Sequence, residues 1–166
     1  VLYDLSYSHF SINADEGIKW GQECIALSRK LGWEKGLAFA NRALAENYVT
    51  LGNYPAALEY SFKSQKIHEK ENDKRGIIAI MSTMAKAYMA QGEYARALEC
   101  NKRGLSLSEE LGNKLQTSIA ASNIAVAYIN ISDFTNALHY ALKALKVSEE
   151  IADTIGIADA MLIIGN

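Results

Sequence analysis

The stretch LGNYPAALEY, Leu51–Tyr60, returns 40 residues later as QGEYARALEC and 40 residues after that as ISDFTNALHY. A chain that writes one phrase at a fixed interval stacks one supersecondary unit on itself, which constrains the fold more tightly than any composition can. The phase runs through the whole unit. Leu44, Met84 and Ile124 align, as do Tyr48, Tyr88 and Tyr128, and Tyr54, Tyr94 and Phe134. Small residues keep the phase as strictly: Ala45, Ala85 and Ala125; Gly17, Ala57, Ala97 and Ala137; Cys24, Ser64, Gly104 and Ala144. Small residues at fixed positions let two helix axes approach closely, and a large aromatic one turn away fills the groove beside them.

Inside each unit the apolar residues recur at three and four, the period of an amphipathic helix, and no strand-type alternation occurs. The unit at 73–112 predicts a first helix from about Lys74 to Gln91 and a second from about Tyr94 to Leu111. The punctuation recurs too. Asp73, Asn113 and Asp153 are natural N-caps, and Trp33 shares their phase. Gly32, Asn72 and Gly112 come just before and tolerate positive φ, while Gly52 and Gly92 mark the turn inside the unit, where Ser132 departs from the pattern. The sole proline, Pro55, falls in the first turn of a helix, where its missing N–H costs nothing. The sequence therefore predicts an all-α fold, an α-solenoid of stacked antiparallel helix pairs.

The phase of Leu44, Ala45, Tyr48, Gly52, Tyr54, Ala57 and Leu58 resembles the tetratricopeptide repeat. That resemblance implies a single domain wound as a right-handed superhelix of about four units. A degenerate unit at 1–32 precedes units at 33–72, 73–112 and 113–152, and a partial one follows at 153–166. The usual unit is about 34 residues. The longer one here is similar to those of kinesin light chains, spindle-orientation adaptors and bacterial signalling arrays. In the degenerate unit SINADEGIKW keeps Gly17, Ile18 and Trp20 but has Ala14 where an aromatic is expected, and LYDLSYSHF fits with a one-residue slip that sets Leu5 opposite Leu44. The closing IIGN looks like the middle of a further first helix, leaving Leu162, Ile163 and Ile164 without a helix to cover them.

Composition and motifs weigh against most other functions. The net charge of −2, with scattered basic residues, offers no field for nucleic acid. No apolar run has the length of a membrane span, and no signal-peptide pattern appears; a cytoplasmic location is expected. Cys24 and Cys100 are too far apart for a zinc or redox spacing and read as buried free thiols, which fits a reducing compartment. His9, His68 and His139 sit at unrelated phases and read as surface or helix-end residues. No metalloprotease, phosphate-loop or nucleophile-elbow motif occurs. Glu109-Glu110 and Glu149-Glu150 read as solvated helix ends. No enzyme activity, metal or cofactor is expected.

The resemblance further implies that the first helix of each unit lines a concave wall. It places Phe39, Arg42 and Glu46 there from one unit, Ser82 and Lys86 from the next, and Ser122, Asn123 and Val126 from the third. Val49, Met89 and Ile129 form an apolar rail beside this polar row. Such a surface suits a peptide or partner helix, so the expected function is a non-catalytic protein-interaction scaffold. Alternatively Glu46 and Lys86 pair with each other and occupy the polar row. Two further readings remain open: a regulatory sensor segment of a larger signalling protein, such as a histidine kinase or nucleotide cyclase, and an array that self-associates through its bare C-terminal edge.

Overall fold

The computed structural model describes residues 13–165; the expected slip of LYDLSYSHF, with Leu5 and His9, lies outside the described residues. Among the described residues there are eight α-helices and no strand: α1 Ala14–Lys30, α2 Glu34–Thr50, α3 Tyr54–Lys70, α4 Lys74–Ala90, α5 Tyr94–Glu110, α6 Lys114–Asn130, α7 Phe134–Glu150 and α8 Thr154–Gly165. The predicted ends in the unit at 73–112 fall within one residue of α4 and α5. Helices α1 to α7 each have 17 residues, a rod of about 25 Å.

One stop-and-start device joins successive helices. The backbone N–H of Trp33 donates to Ser28 O (2.9 Å), Asp73 to His68 O (2.8 Å), Asn113 to Ser108 O (2.8 Å) and Asp153 to Ser148 O (3.0 Å). Each bond spans a residue with positive φ: Gly32, Asn72, Gly112 and Ala152. This is the closure that satisfies the last carbonyls of a helix. The next helix then begins on a side-chain cap. Asp73 Oδ1 accepts from Gly76 N at 3.0 Å and Asn113 Oδ1 from Gln116 N at 3.2 Å. Trp33 makes no side-chain cap, as its indole dictates. With three-residue connections, consecutive helices run antiparallel within α1 to α4 and within α5 to α8.

The chain divides into two compact units, residues 1–91 and 92–166. In the first, each of α1 to α4 packs on the next and the two first helices, α2 and α4, also touch. Its core carries the phased residues: Leu44, Ala45, Ala57, Met84 and Ala85 are buried, with Ile80 and Ala40. Cys24 and Ile25 of α1 pack on Ala40 and Leu44, flanked by Leu37, Tyr48 and Tyr60. Tyr48 stacks on Tyr60 with ring centroids 5.5 Å apart. Close approach is visible directly: Ser64 Oγ, at a small-residue phase of α3, donates to Ala38 O of α2 at 2.9 Å.

The second unit repeats this arrangement through α5 to α8, with α6 touching α8. Ile124, Ala125, Ala137 and Ala144 are buried, and Tyr128 stacks on Tyr140 at 5.8 Å. Ser118 of α6 reaches α7, where its hydroxyl donates to Ala144 O at 3.3 Å and meets Ser148 Oγ. One expectation fails here. Phe134 does not fill a groove: where Tyr54 and Tyr94 are half-buried, it is 64% exposed, because the edge of α7 that carries Phe134, Leu138 and Leu142 at one-turn spacing lies open. Helix α8 likewise leaves Ile155, Leu162 and Ile164 exposed.

Candidate functional site

The first unit gathers a charged cluster on α2 and α4. Arg42 and Glu46 lie one turn apart, with Arg42 Nε 3.8 Å from Glu46 Oε1. Thr83 of α4 donates its hydroxyl both to Glu46 Oε1 (3.4 Å) and to Ala79 O (3.2 Å). Burial raises the Glu46 carboxyl above its ordinary value, and Arg42, Lys86 and Thr83 pull it partly back. Glu46 is thus held by Arg42 and Thr83, with exposed Lys86 adding attraction from one turn further along α4. The structure therefore brings Arg42, Glu46 and Lys86 into one field. Thr83 is the member that sequence reasoning missed; a threonine beside Ser82 carries no signal until the opposing carboxylate is placed.

The other expected wall residues of this unit divide by exposure. Val49, Ser82 and Met89 are half-buried. Phe39 is half-buried as well, and its ring packs against His68 with centroids 5.9 Å apart. In the second unit Ser122, Asn123 and Ile129 are half-buried and Val126 is exposed. Asn130 turns its amide onto Val126 O of its own helix at 2.8 Å.

His68 is a helix-end residue, as the sequence led one to expect, but not a surface one. It stands in the last turn of α3 but is 2% exposed. Its phase explains this: Ser28, Ser108 and Ser148 occupy the equivalent position and are all buried. Gly76 faces the imidazole, at the phase where Gly36 and Gly156 face Ser28 and Ser148; a Cβ on Gly76 would stand 2.1 Å from His68 Nδ1. Nδ1 lies 3.0 Å from Asp73 Oδ2, while Nε2 is buried without a hydrogen-bond partner. With an ionised carboxylate as neighbour, Nδ1–H donates and Nε2 carries the lone pair. Burial depresses the imidazole's pKa, Asp73 opposes that, and Arg42 adds to it.

The remaining residues behave as solvated or structural groups. Cys24 and Cys100 are buried free thiols, and burial pushes the Cys100 thiol up to about 11. Glu109 pairs with Lys143 and Glu150 with Lys114 on exposed helix ends. His139 is exposed. Among the described residues no three His, Cys, Asp or Glu side chains gather as a metal site, and no helix is long and apolar enough to cross a membrane. A cavity of about 250 Å³ that the sequence did not signal opens beside Arg29, Asn41, Tyr60 and Lys63.

Comparison with known proteins agrees with this architecture. The family model for the tetratricopeptide repeat matches residues 76–150. No curated protein matches the sequence significantly. Among solved structures, aspartyl phosphate phosphatase F from Bacillus subtilis superposes with a TM-score of 0.92 at 16% identity, over 98% of this chain and 43% of that one. A signal transduction ATPase with a tetratricopeptide repeat sensor from Pyrococcus horikoshii gives 0.86 at 16% identity, over 98% of this chain and 26% of that one. The TPR-like repeats of a kinesin light chain type from P. anserina give 0.78 at 16% identity, covering 99% and 85%. The chain thus spans less than half the length of the first two. At such identities the likeness is one of fold.

Proposed function

This chain belongs to the tetratricopeptide-repeat family, whose members serve in general as non-catalytic protein-interaction scaffolds, and from that premise we propose that the exposed face of its first helices binds a peptide or a partner helix. The observation that carries the reading is the cluster in the first unit: a half-buried carboxylate, Glu46, between Arg42 and Thr83, with Lys86 exposed beside it. Half-buried Val49 and Met89 supply apolar anchors one turn away. Fixed charges give a ligand its direction and apolar contacts supply most of its affinity. In the second unit Ser122, Asn123, Val126 and Ile129 form the corresponding wall, neutral and more apolar.

The test uses peptides selected on the intact chain from a random display library. The double variant Lys86→Glu, Met89→Asp is expected to lose the selected peptides while keeping the helical circular dichroism of the parent. Unchanged affinity in that variant would refute the assignment of the wall.

A second reading is supported by the lengths of the structural relatives. This chain covers 43% of one of them and 26% of another, and the latter is described as having a tetratricopeptide repeat sensor. In that reading the domain is the regulatory segment of a larger signalling protein, and occupancy of the wall is its input. The coding sequence beyond Asn166 decides: an in-frame effector domain supports it, and an immediate stop codon excludes it.

A further inference from the structure

The repeat supplies its own control for the cavity on the first unit. At the phase of Glu69, Glu109 and Glu149 the chain has Arg29. At the phase of Arg103 and Lys143 it keeps a base, Lys63. In the second unit these two positions are joined: Lys143 Nζ lies 2.6 Å from Glu109 Oε1, tying α7 to α5. In the first unit both positions are cationic, so the tie is replaced by two like charges on α1 and α3. Lys63 turns instead to Glu59 of its own helix at 2.6 Å, its ammonium 4.7 Å from the centre of the Tyr60 ring. The cavity of about 250 Å³ lies among Arg29, Lys63, Tyr60, Asn41, Ile25 and Ala26.

Asn41 breaks the phase a second time. Its equivalents, Met81 and Ala121, are buried hydrocarbon, whereas Asn41 places an amide there that is 6% exposed. Its Nδ2 donates to Leu37 O at 2.6 Å, which fixes the side chain against its own helix. A buried amide costs desolvation where hydrocarbon would pack at no such cost, and here it lines the cavity between two cations. Tyr60 is held by its stack on Tyr48. None of the cavity residues belongs to the cluster of Arg42, Glu46 and Lys86.

We propose that this cavity binds a carboxylate carried on a short apolar stem. A guanidinium offers a planar fork that matches a carboxylate, and Ile25 and Ala26 provide an apolar wall for the stem. Arg29 and Lys63 against Glu59 leave one net positive charge, which balances a monoanion and not a dianion. The carboxylate can come from a free small acid or from the terminus of a partner chain, and the probes separate the two.

The experiment is an amide NMR titration of the full chain with sodium butyrate, inorganic phosphate, and a leucine-ending pentapeptide as free acid and as amide. Butyrate and the free-acid peptide are expected to shift amides near residues 25–29, 41 and 60–63, with phosphate at least about tenfold weaker. A free-acid peptide tighter than butyrate assigns the site to a chain terminus; equal binding assigns it to a small acid. Arg29→Glu restores the residue found in the other repeats and is expected to form the bridge to Lys63, weakening butyrate at least about tenfold without loss of fold. Asn41→Met, the residue of the next repeat, is expected to do the same by filling the cavity. Phosphate binding as tight as butyrate, unchanged binding in both variants, or no shift with any probe at ~20 mM overturns the proposal.

Discussion

Replacing Gly76 by alanine tests the packing logic most sharply, because propensity and structure predict opposite signs. In a helix interior, alanine is favoured over glycine by about 1 kcal/mol. At Gly76, however, the new Cβ would stand 2.1 Å from His68 Nδ1, 2.3 Å from Cε1 and 2.5 Å from Cγ. His68 is buried and braced by Phe39 and Asp73, so the ring has to move as a body. Overpacking of this kind costs about 1–3 kcal/mol, and the lost hydrogen bond to Asp73 about 1 kcal/mol more. After the propensity gain, Gly76→Ala is expected to destabilise the first unit by about 1–3 kcal/mol. Both tryptophans, Trp20 and Trp33, lie in that unit, so urea titration followed by tryptophan fluorescence reports on it directly. The second arm is the cycle with His68→Ser, the residue found at positions 28, 108 and 148. At Ser108 the residue at the phase of Gly76 is Gln116, which already has a Cβ, but at Ser28 and Ser148 it is Gly36 and Gly156, where a Cβ would stand 2.5 and 2.4 Å from the serine Oγ. The double variant is therefore expected to recover only part of the loss, a coupling of about 1 kcal/mol. A Gly76→Ala protein more stable than its parent, or a coupling near zero, would refute the claim that a Cβ at position 76 is excluded by the imidazole.

Three further outcomes are expected. Burial holds the His68 pKa below its unfolded value of 6.5, so the folded state binds fewer protons than the unfolded chain. Its contribution is therefore complete above that value and is lost as pH falls below it. The urea midpoint should drop between pH 7.5 and 5.5 and should flatten in His68→Ser; an equal slope in the variant removes His68 from the account. Glu46, whose pKa is raised above 4.5 by burial, acts with the opposite sign, so Glu46→Gln should steepen the decline at the acid end of the same titration. Ala152 closes α7 at φ 54, where Gly32 and Gly112 stand in equivalent turns. Ala152→Gly is expected to raise stability by about 0.5–1 kcal/mol, since left-handed strain outweighs the entropy of a new glycine; a fall in melting temperature contradicts this.

What could be read from the letters alone follows from which forces act within one unit. Ala45, Ala85 and Ala125 are all buried, and the close approach of two helices that small residues permit recurs with the repeat, so their phase announced it. The closing turns at Gly32, Asn72 and Gly112 are equally local, and their positive φ was legible for the same reason. Side chains whose partner sits on another helix were not legible singly. Glu46 needs Thr83, 37 residues on, before its burial is tolerable. His68 reads as a solvated helix end until Gly76 is seen to face it. Phe134 shares its phase with Tyr54 and Tyr94 but not their surroundings, so the same kind of residue is half-buried in two repeats and exposed in the third. The candidate wall was placed by resemblance, and Thr83 joins Arg42, Glu46 and Lys86 only where α2 and α4 lie side by side.

The cations beside the cavity on α1 and α3 leave their trace in the charged phases of the repeat and none in the apolar ones. A bridge such as Glu109–Lys143 is a property of two phases together, 34 residues apart. Exposed ion pairs contribute little to stability, so a change from Glu to Arg at one of them is tolerated by the fold and leaves no mark on the hydrophobic pattern. Its consequence is electrostatic: attraction across a helix pair becomes repulsion, and the space between the helices becomes available to an anion. In a stacked array, conserved phase marks what the fold requires. A charge that breaks phase at a position where the fold is indifferent, next to a buried amide that also breaks phase, marks where the surface has been given over to something other than packing.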